Sequence, residues 1–459
     1  MMRSILARRR LRPRRGRRIA AILAGAIVLA AIGGVWWTAG DGGALVRNMV
    51  KPQATPATRP AIAAVTTFAY RTAPAFLTMT ADGRDDGTVN YSPASMWMAL
   101  AIAARGAGGT TRAQLDAVLE SSALTDADYR SLANSINGRY PASRSEMNAA
   151  NSLWIDDGHP LADDYLSSVG KDFDAQVTTL PFNDRAAKRM GDWISRHTNG
   201  SMRPKITLRE NEVLSIINAV HASGHWREAF ERRLTGNATF HGESAHTQVP
   251  MMHRSFTRMA HGHDERNTWQ RVEIPFDNGG GLIIVLPAEG HFDELAGDAR
   301  KLEWAFGACT SFPLGARTPS CAADSPPGWN VSVESATVNV SLPRFAIEST
   351  FDSSDVITAL KKLGVTDAFS VNDADFGIMT GPRSDGGNLH IGSILQGTRI
   401  AVDEAGAKAA GFAKLGVEAI SAPADDVEFT ADRPFLYSFV TPDGVPLFIG
   451  AVRDLGAKD

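Results

Sequence analysis

The sequence predicts a mixed α+β fold built as one large domain. Helical patterns crowd the first half of the chain and strand patterns the second, a segregation that disfavours a doubly wound sheet. Composition is even from about Val65 to the end, and no repeat recurs at a fixed period. With 459 residues, 44% hydrophobic and 21% charged, the chain has ample material for a core.

The N-terminus stands apart. Residues 1–18 hold nine of the 47 basic residues and no acid, so the remainder carries 38 against 50 acidic residues, a net of about −12. Such a body does not present a nucleic-acid-binding surface. From Ile19 to Gly40 the run is uncharged, and at ~1.5 Å per residue it is long enough for a membrane span. Trp36 and Trp37 suit an interfacial belt and the Arg-rich segment suits the cytoplasmic side. The expectation is a single-pass anchor at 19–40, a flexible Pro/Ala/Gly linker at 41–62, and a body at 63–459 held outside the cell membrane. A cleaved secretory signal, giving a secreted body, is the alternative.

Within the body, Ser92 before Pro93 reads as a helix N-cap followed by a pre-set first position, with Met96–Ala104 as the buried helix. Thr111 and Gln114 have the spacing of a capping box, which predicts a second helix starting there. Val338, Val340 and Leu342 alternate with polar residues, the period of a half-buried strand ended by Pro343. Ser354 to Leu363 reads as a helix stopped by Gly364. Further strands are expected at Val213–Val220, Gly281–Leu286, Arg399–Asp403, Phe435–Thr441 and Pro446–Val452.

Chemistry-bearing motifs are sparse. Cys309 and Cys321 are the chain's two cysteines; in an oxidising compartment they can close a short-loop disulfide, the alternative being two free thiols. His253, His261 and His263 beside Asp264 and Glu265 hint at zinc but read as a solvated loop. Asp375-Phe376-Gly377 lacks the other kinase motifs, and Gly279-Gly280-Gly281 precedes a strand, so it is a turn. Neither G-x-S-x-G nor H-E-x-x-H occurs, which weighs against a hydrolase. No motif calls for a metal or cofactor, and a monomer is expected.

Several segments in order, NYSPASMWMALAIAARGAGGTT, TNGSMRPKI, IINAVHASGHW, VPMM, LPRFAIEST, LGVTDAFS, AVDEAGAKAAG, DRPFLYSF and PLFIGAV, together resemble the serpin family from about residue 66 to 455. The resemblance implies a serpin fold with three β-sheets, about nine helices and an exposed reactive-centre loop. It implies a suicide-type inhibitor whose cleaved loop inserts into the large sheet and carries a covalently attached serine protease with it. It implies no enzyme activity. The hinge acid of the loop matches Glu404, followed by Gly406, Ala407, Ala409, Ala410 and Gly411. The family's count from the hinge puts the scissile bond at Ile420-Ser421, and counting back from the strand at Val427 gives Ser421-Ala422 as the alternative. The small apolar bait Ala419-Ile420 suits elastase-like or subtilisin-like proteases, with an acid specificity through Glu418 as the other reading. The sheet-opening cluster matches Ser92, Ser95, Asn218 and Gln396, with Trp226 where the loop first enters.

An independent feature supports insertion. Ala407, Ala409, Gly411, Ala413, Leu415, Val417 and Ala419 are all small or apolar, whereas the intervening set carries Lys408, Lys414 and Glu418. An inserted strand therefore has one dry face and one wet face. Three departures from the family pattern stand out: Ala407 for Thr, Gln396 for a common His, and Phe412 for a small residue on the outward face. A serpin-fold protein that binds a partner without inhibiting is the alternative reading.

Overall fold

The computed structural model describes residues 51–79, 81, 86–140, 143–307, 332–381, 389–407 and 426–456. The chain divides into two compact units, Met1–Lys51 and Pro52–Asp459. Of the first unit only Lys51 is described, so the apolar run at 19–40 and the Arg-rich segment at 1–18 lie outside the described residues.

Ten α-helices lie among the described residues: α1 (Arg59–Leu77), α2 (Pro93–Gly106), α3 (Gly109–Leu119), α4 (Asp126–Asn137), α5 (Asp163–Phe173), α6 (Asp184–His197), α7 (Phe292–Ala296), α8 (Ala299–Gly307), α9 (Ser353–Lys362) and α10 (Gly377–Thr380). The strands are β1 (Val89–Tyr91), β2 (Glu146–Ile155), β3 (Gln176–Thr179), β4 (Leu214–His225), β5 (Gly236–His241), β6 (His246–His263), β7 (Trp269–Pro275), β8 (Gly281–Pro287), β9 (Ser332–Pro343), β10 (Phe345–Phe351), β11 (Gln396–Asp403), β12 (Gly406–Ala407), β13 (Asp426–Thr430), β14 (Phe435–Val440) and β15 (Pro446–Val452).

These strands form two sheets among the described residues. One has nine strands in the order β1-β15-β14-β8-β7-β6-β9-β13, with β5 added on β6; the other has six, β10-β11-β12-β4-β2-β3. Among the described residues the expected third sheet is not separate, because β6 is shared. Its first part pairs with β5 and its end with β7, while β9 follows it through a register shift between Phe256 and Met259. One long strand thus fuses what the sequence suggests as two sheets.

Helix α2 links the sheets, touching β4 on one side and β15 on the other. The Ser92 side chain caps it by accepting from the Ser95 backbone N–H, as the Ser-Pro pair predicts. The expected capping box at Thr111 and Gln114 is not formed. Helix α3 begins at Gly109, and both side chains reach distant backbone instead: Thr111 accepts from Asp375 N, and Gln114 from Thr366 N and Asp367 N. The reciprocal box sits at Thr125 and Asp128 of α4.

The single-pass membrane placement is corrected. Among the described residues no helix is long and apolar enough to cross a membrane. Helix α1 has 19 residues, but Arg59, Arg71 and its threonines make it an amphipathic element of the core. Residues 52–62, within the expected linker, are tied to the body: Ala57 N donates to Asp443 and Thr58 Oγ1 to Asp128.

Candidate functional site

The six-stranded sheet contains an unusual seam. After β11 the chain turns through Glu404 and Ala405, and Gly406 and Ala407 return as β12. Asp403 and Val402 of β11 pair antiparallel with Gly406 and Ala407, which on their other edge pair antiparallel with His225 and Gly224 of β4. Strands β4 and β11 do not pair with one another among the described residues. Glycine is required at the entry, since a Cβ on Gly406 would collide with the Gly224 backbone and one on Gly224 with the Phe276 ring.

The turn is anchored by Glu404. Its carboxylate accepts from Arg344 Nε at 2.9 Å and from Thr235 Oγ1 at 2.6 Å, and Arg344 Nη2 also donates to it. Burial pushes this carboxyl up, but the Arg344 and Thr235 bonds outweigh it and hold Glu404 below the usual carboxylate range. Trp226 closes the same end. Its Nε1 donates to Asp403 O at 2.9 Å, its backbone N to Ala405 O, and its ring stacks on Phe276 at 5.1 Å. Trp226 is fully buried.

Farther along the seam lie the other predicted residues. Gln396 Nε2 donates to Ser92 O at 2.9 Å, and Ser92 Oγ donates to Leu447 O at 2.8 Å, so the α2 N-terminus pins both sheets. Asn218 Nδ2 donates to Asn151 Oδ1 at 2.7 Å and to Met98 Sδ of α2 at 3.6 Å. Gln396 Oε1 and Asn218 Oδ1 are buried without a hydrogen-bond partner. Of the expected cluster, Trp226 thus lies with the hinge residues Glu404, Gly406 and Ala407, apart from Ser92, Ser95, Gln396 and Asn218. Ala409, Ala410, Gly411 and the Ile420-Ser421 bond lie outside the described residues, as do Cys309 and Cys321.

Sequence reasoning missed Arg344, Thr235 and Asn151. The signal for Arg344 was available: it is a lone charge between Pro343 and Phe345 in an otherwise apolar junction of two strands. The histidines do not converge. His253 bonds Ser341 and His263 the Asp264 carbonyl, and among the described residues no cluster of three or more ligating side chains could hold a metal.

The arrangement defines a class of protein in which a two-residue strand, Gly406–Ala407, is seated between two longer strands of one sheet. The profile described as serpin (serine protease inhibitor) matches residues 63–455, and the chain belongs to that family. An uncharacterized serpin-like protein of Thermococcus kodakarensis is 28% identical over 387 residues, covering 82% of each chain. A serine protease inhibitor of Cyanea capillata is 28% identical over 382 residues, 80% of this chain and 92% of that one. Among solved structures, Serpin48, described as a highly specific serpin of the insect Tenebrio molitor, shares the fold at a TM-score of 0.68. It is 24% identical and covers 87% of this chain and 99% of its own.

Proposed function

We propose that this serpin is a suicide-type inhibitor of elastase-like or subtilisin-like serine proteases. A protease attacks near Ile420-Ser421, and the released loop continues β12 down the seam between β4 and β11. The observation that carries this reading is the register of β12. Continued without slippage, it sets Ala409 between Ala222 and Ile400, Gly411 between Val220 and Thr398, and Ala413 between Asn218 and Gln396. Gln396, Thr398, Ile400 and Val402 are the buried residues of β11, and Arg399 between them is exposed. The dry residues of the loop thus fall on the core face and its charges on the other.

The energetics are adequate. About ten new backbone hydrogen bonds at a net ~1 kcal/mol each would release on the order of 10 kcal/mol. Displacing a bound protease's catalytic groups by even ~1 Å can cost it ~100-fold in rate. The test is incubation with an elastase-like and a subtilisin-like protease. The expected product is a covalent complex that survives SDS; cleaved chain beside fully active protease would refute inhibition.

A further inference from the structure

One element of the outer face gives Phe412 a role that the sequence alone leaves idle. Helix α6 and the segment after it lie over the six-stranded sheet in a small apolar cluster of their own. Trp193, Met190, Trp154 and Ala219 are among its buried members, with Met202 packed against them. Ala219 belongs to β4. Met202 also reaches across the seam to β11: its Cε lies 2.5 Å from where a Cβ on Gly397 would stand. The apolar layer therefore roofs both walls of the seam at one level, and at that level the walls carry the two smallest side chains available.

The β12 register, continued from Ala407, places Phe412 between Ala219 and Gly397. Its outward-facing neighbours land elsewhere, Lys408 between Ser223 and Ala401, and Ala410 between His221 and the exposed Arg399. The bulkiest residue of the outward set thus meets the smallest pair of neighbours beneath an apolar roof. We infer that the surface formed by Ala219, Gly397 and the flexible tip of Met202 is a docking site for Phe412 of this chain's own loop, the Met202 methyl swinging aside to admit the ring. In the inserted state the ring packs against Ala219 and the Met202 thioether and fastens α6 to the sheet. Size complementarity and the sulfur–aromatic contact both favour it. The inference rests on the insertion reading above.

The experiment compares melting temperatures before and after loop cleavage, with the cut mapped by mass spectrometry to residues 418–425. The full-length parent, Phe412→Ala, Phe412→Leu, Met202→Ala and the Phe412→Ala/Met202→Ala double variant are measured. Each protein's intact form is its own reference, so a general folding defect cancels from the gain on cleavage. Phe412→Ala is expected to shrink that gain by about 3–6 °C, Phe412→Leu to restore most of it, and the double variant to lose less than the sum of the two. A parent that gains nothing on cleavage overturns insertion and the docking site with it. A parent that gains while Phe412→Ala gains equally overturns the docking site alone.

Discussion

In the nine-stranded sheet, β8 is paired along its length by β7 and β14, and β14 is paired in turn by β15; every residue of β8, β14 and β15 is buried. In the six-stranded sheet, β4 stands in the interior of the strand order, yet only Ala219 and Gly224 along it are buried, and its edge toward β11 is met by Gly406 and Ala407. A central strand normally realises its pairing and burial at once. One sheet has done so; in the other, among the described residues, the β4 edge toward β11 is paired only by Gly406 and Ala407, the place where the proposed insertion would add a strand.

One Arg–carboxylate pair lies inside the nine-stranded sheet and another beside the seam, and the two carboxyls are shifted in opposite directions. Arg271 and Glu273 on β7 are buried, 3.3 Å apart, and burial raises the Glu273 carboxyl to about 7 against the pull of Arg271. A raised carboxyl contributes stability in full below its unfolded value near 4.5, and loses it as pH rises toward 7. Glu404 at the seam is lowered instead, so its contribution is full above about pH 4.5 and is lost as pH falls through the lowered value.

The contrast can be broken most severely at Ala409. Ala409→Arg puts a charge on the core face between Ala222 and Ile400; inhibition should fall by more than about tenfold, with the protein becoming a substrate, while Ala410→Arg on the outer face should inhibit nearly as the parent does. Titration of protease activity against added protein distinguishes them, and equal behaviour of the two variants would contradict the face assignment. Next, Ile284→Ala in the filled sheet should cost about 3 kcal/mol in intact and cleaved forms alike. Ile216→Ala on β4 should cost under ~1 kcal/mol intact and more after cleavage, as urea melts of both forms would show.

A smaller effect is expected at the seam's lock. Arg344→Ala leaves Glu404 buried without its ion-pair partner; because the Arg344 side chain is 39% exposed, screening reduces the loss to ~1–2 kcal/mol. The same variant should flatten the acid limb of the thermal stability profile below about pH 4.5. Glu273→Gln should be the mildest, within ~0.5 kcal/mol of the parent at pH 5, below the value of about 7 to which burial raises this carboxyl. A loss at pH 5 matching that of Arg344→Ala would show that Glu273 is ionised there.

Much of this frame is legible in the residues. Ser92 before Pro93 marks the start of α2, and the period-two pattern of 337–342 marks β9, because both signals are satisfied locally. Thr111 and Gln114 mislead for the opposite reason: their spacing suits a local box, while distant backbone donors at Asp375, Thr366 and Asp367 take them. Asp128 closes the true box with a shorter acid than the usual Glu or Gln. The salt link from Arg344 to Glu404 joins residues far apart in sequence, and the meeting of Met202 with Gly397 depends on how α6 lies over the sheet. The first leaves only the lone charge of Arg344 as a signal, and the second leaves none. Phe412 reads from the sequence as a tolerated departure, and the partner proposed for it rests on the register set by two residues of β12.

The central claim is that β4 and β11 receive the loop between them. Hydrogen–deuterium exchange of the full-length protein, before and after cleavage near Ile420, measures it directly. The prediction is slowed exchange in peptides spanning Leu214–His225 and Gln396–Asp403, with β8, β14 and β15 unchanged because their amides are already paired. Unchanged exchange in β4 and β11 after complete cleavage would contradict it.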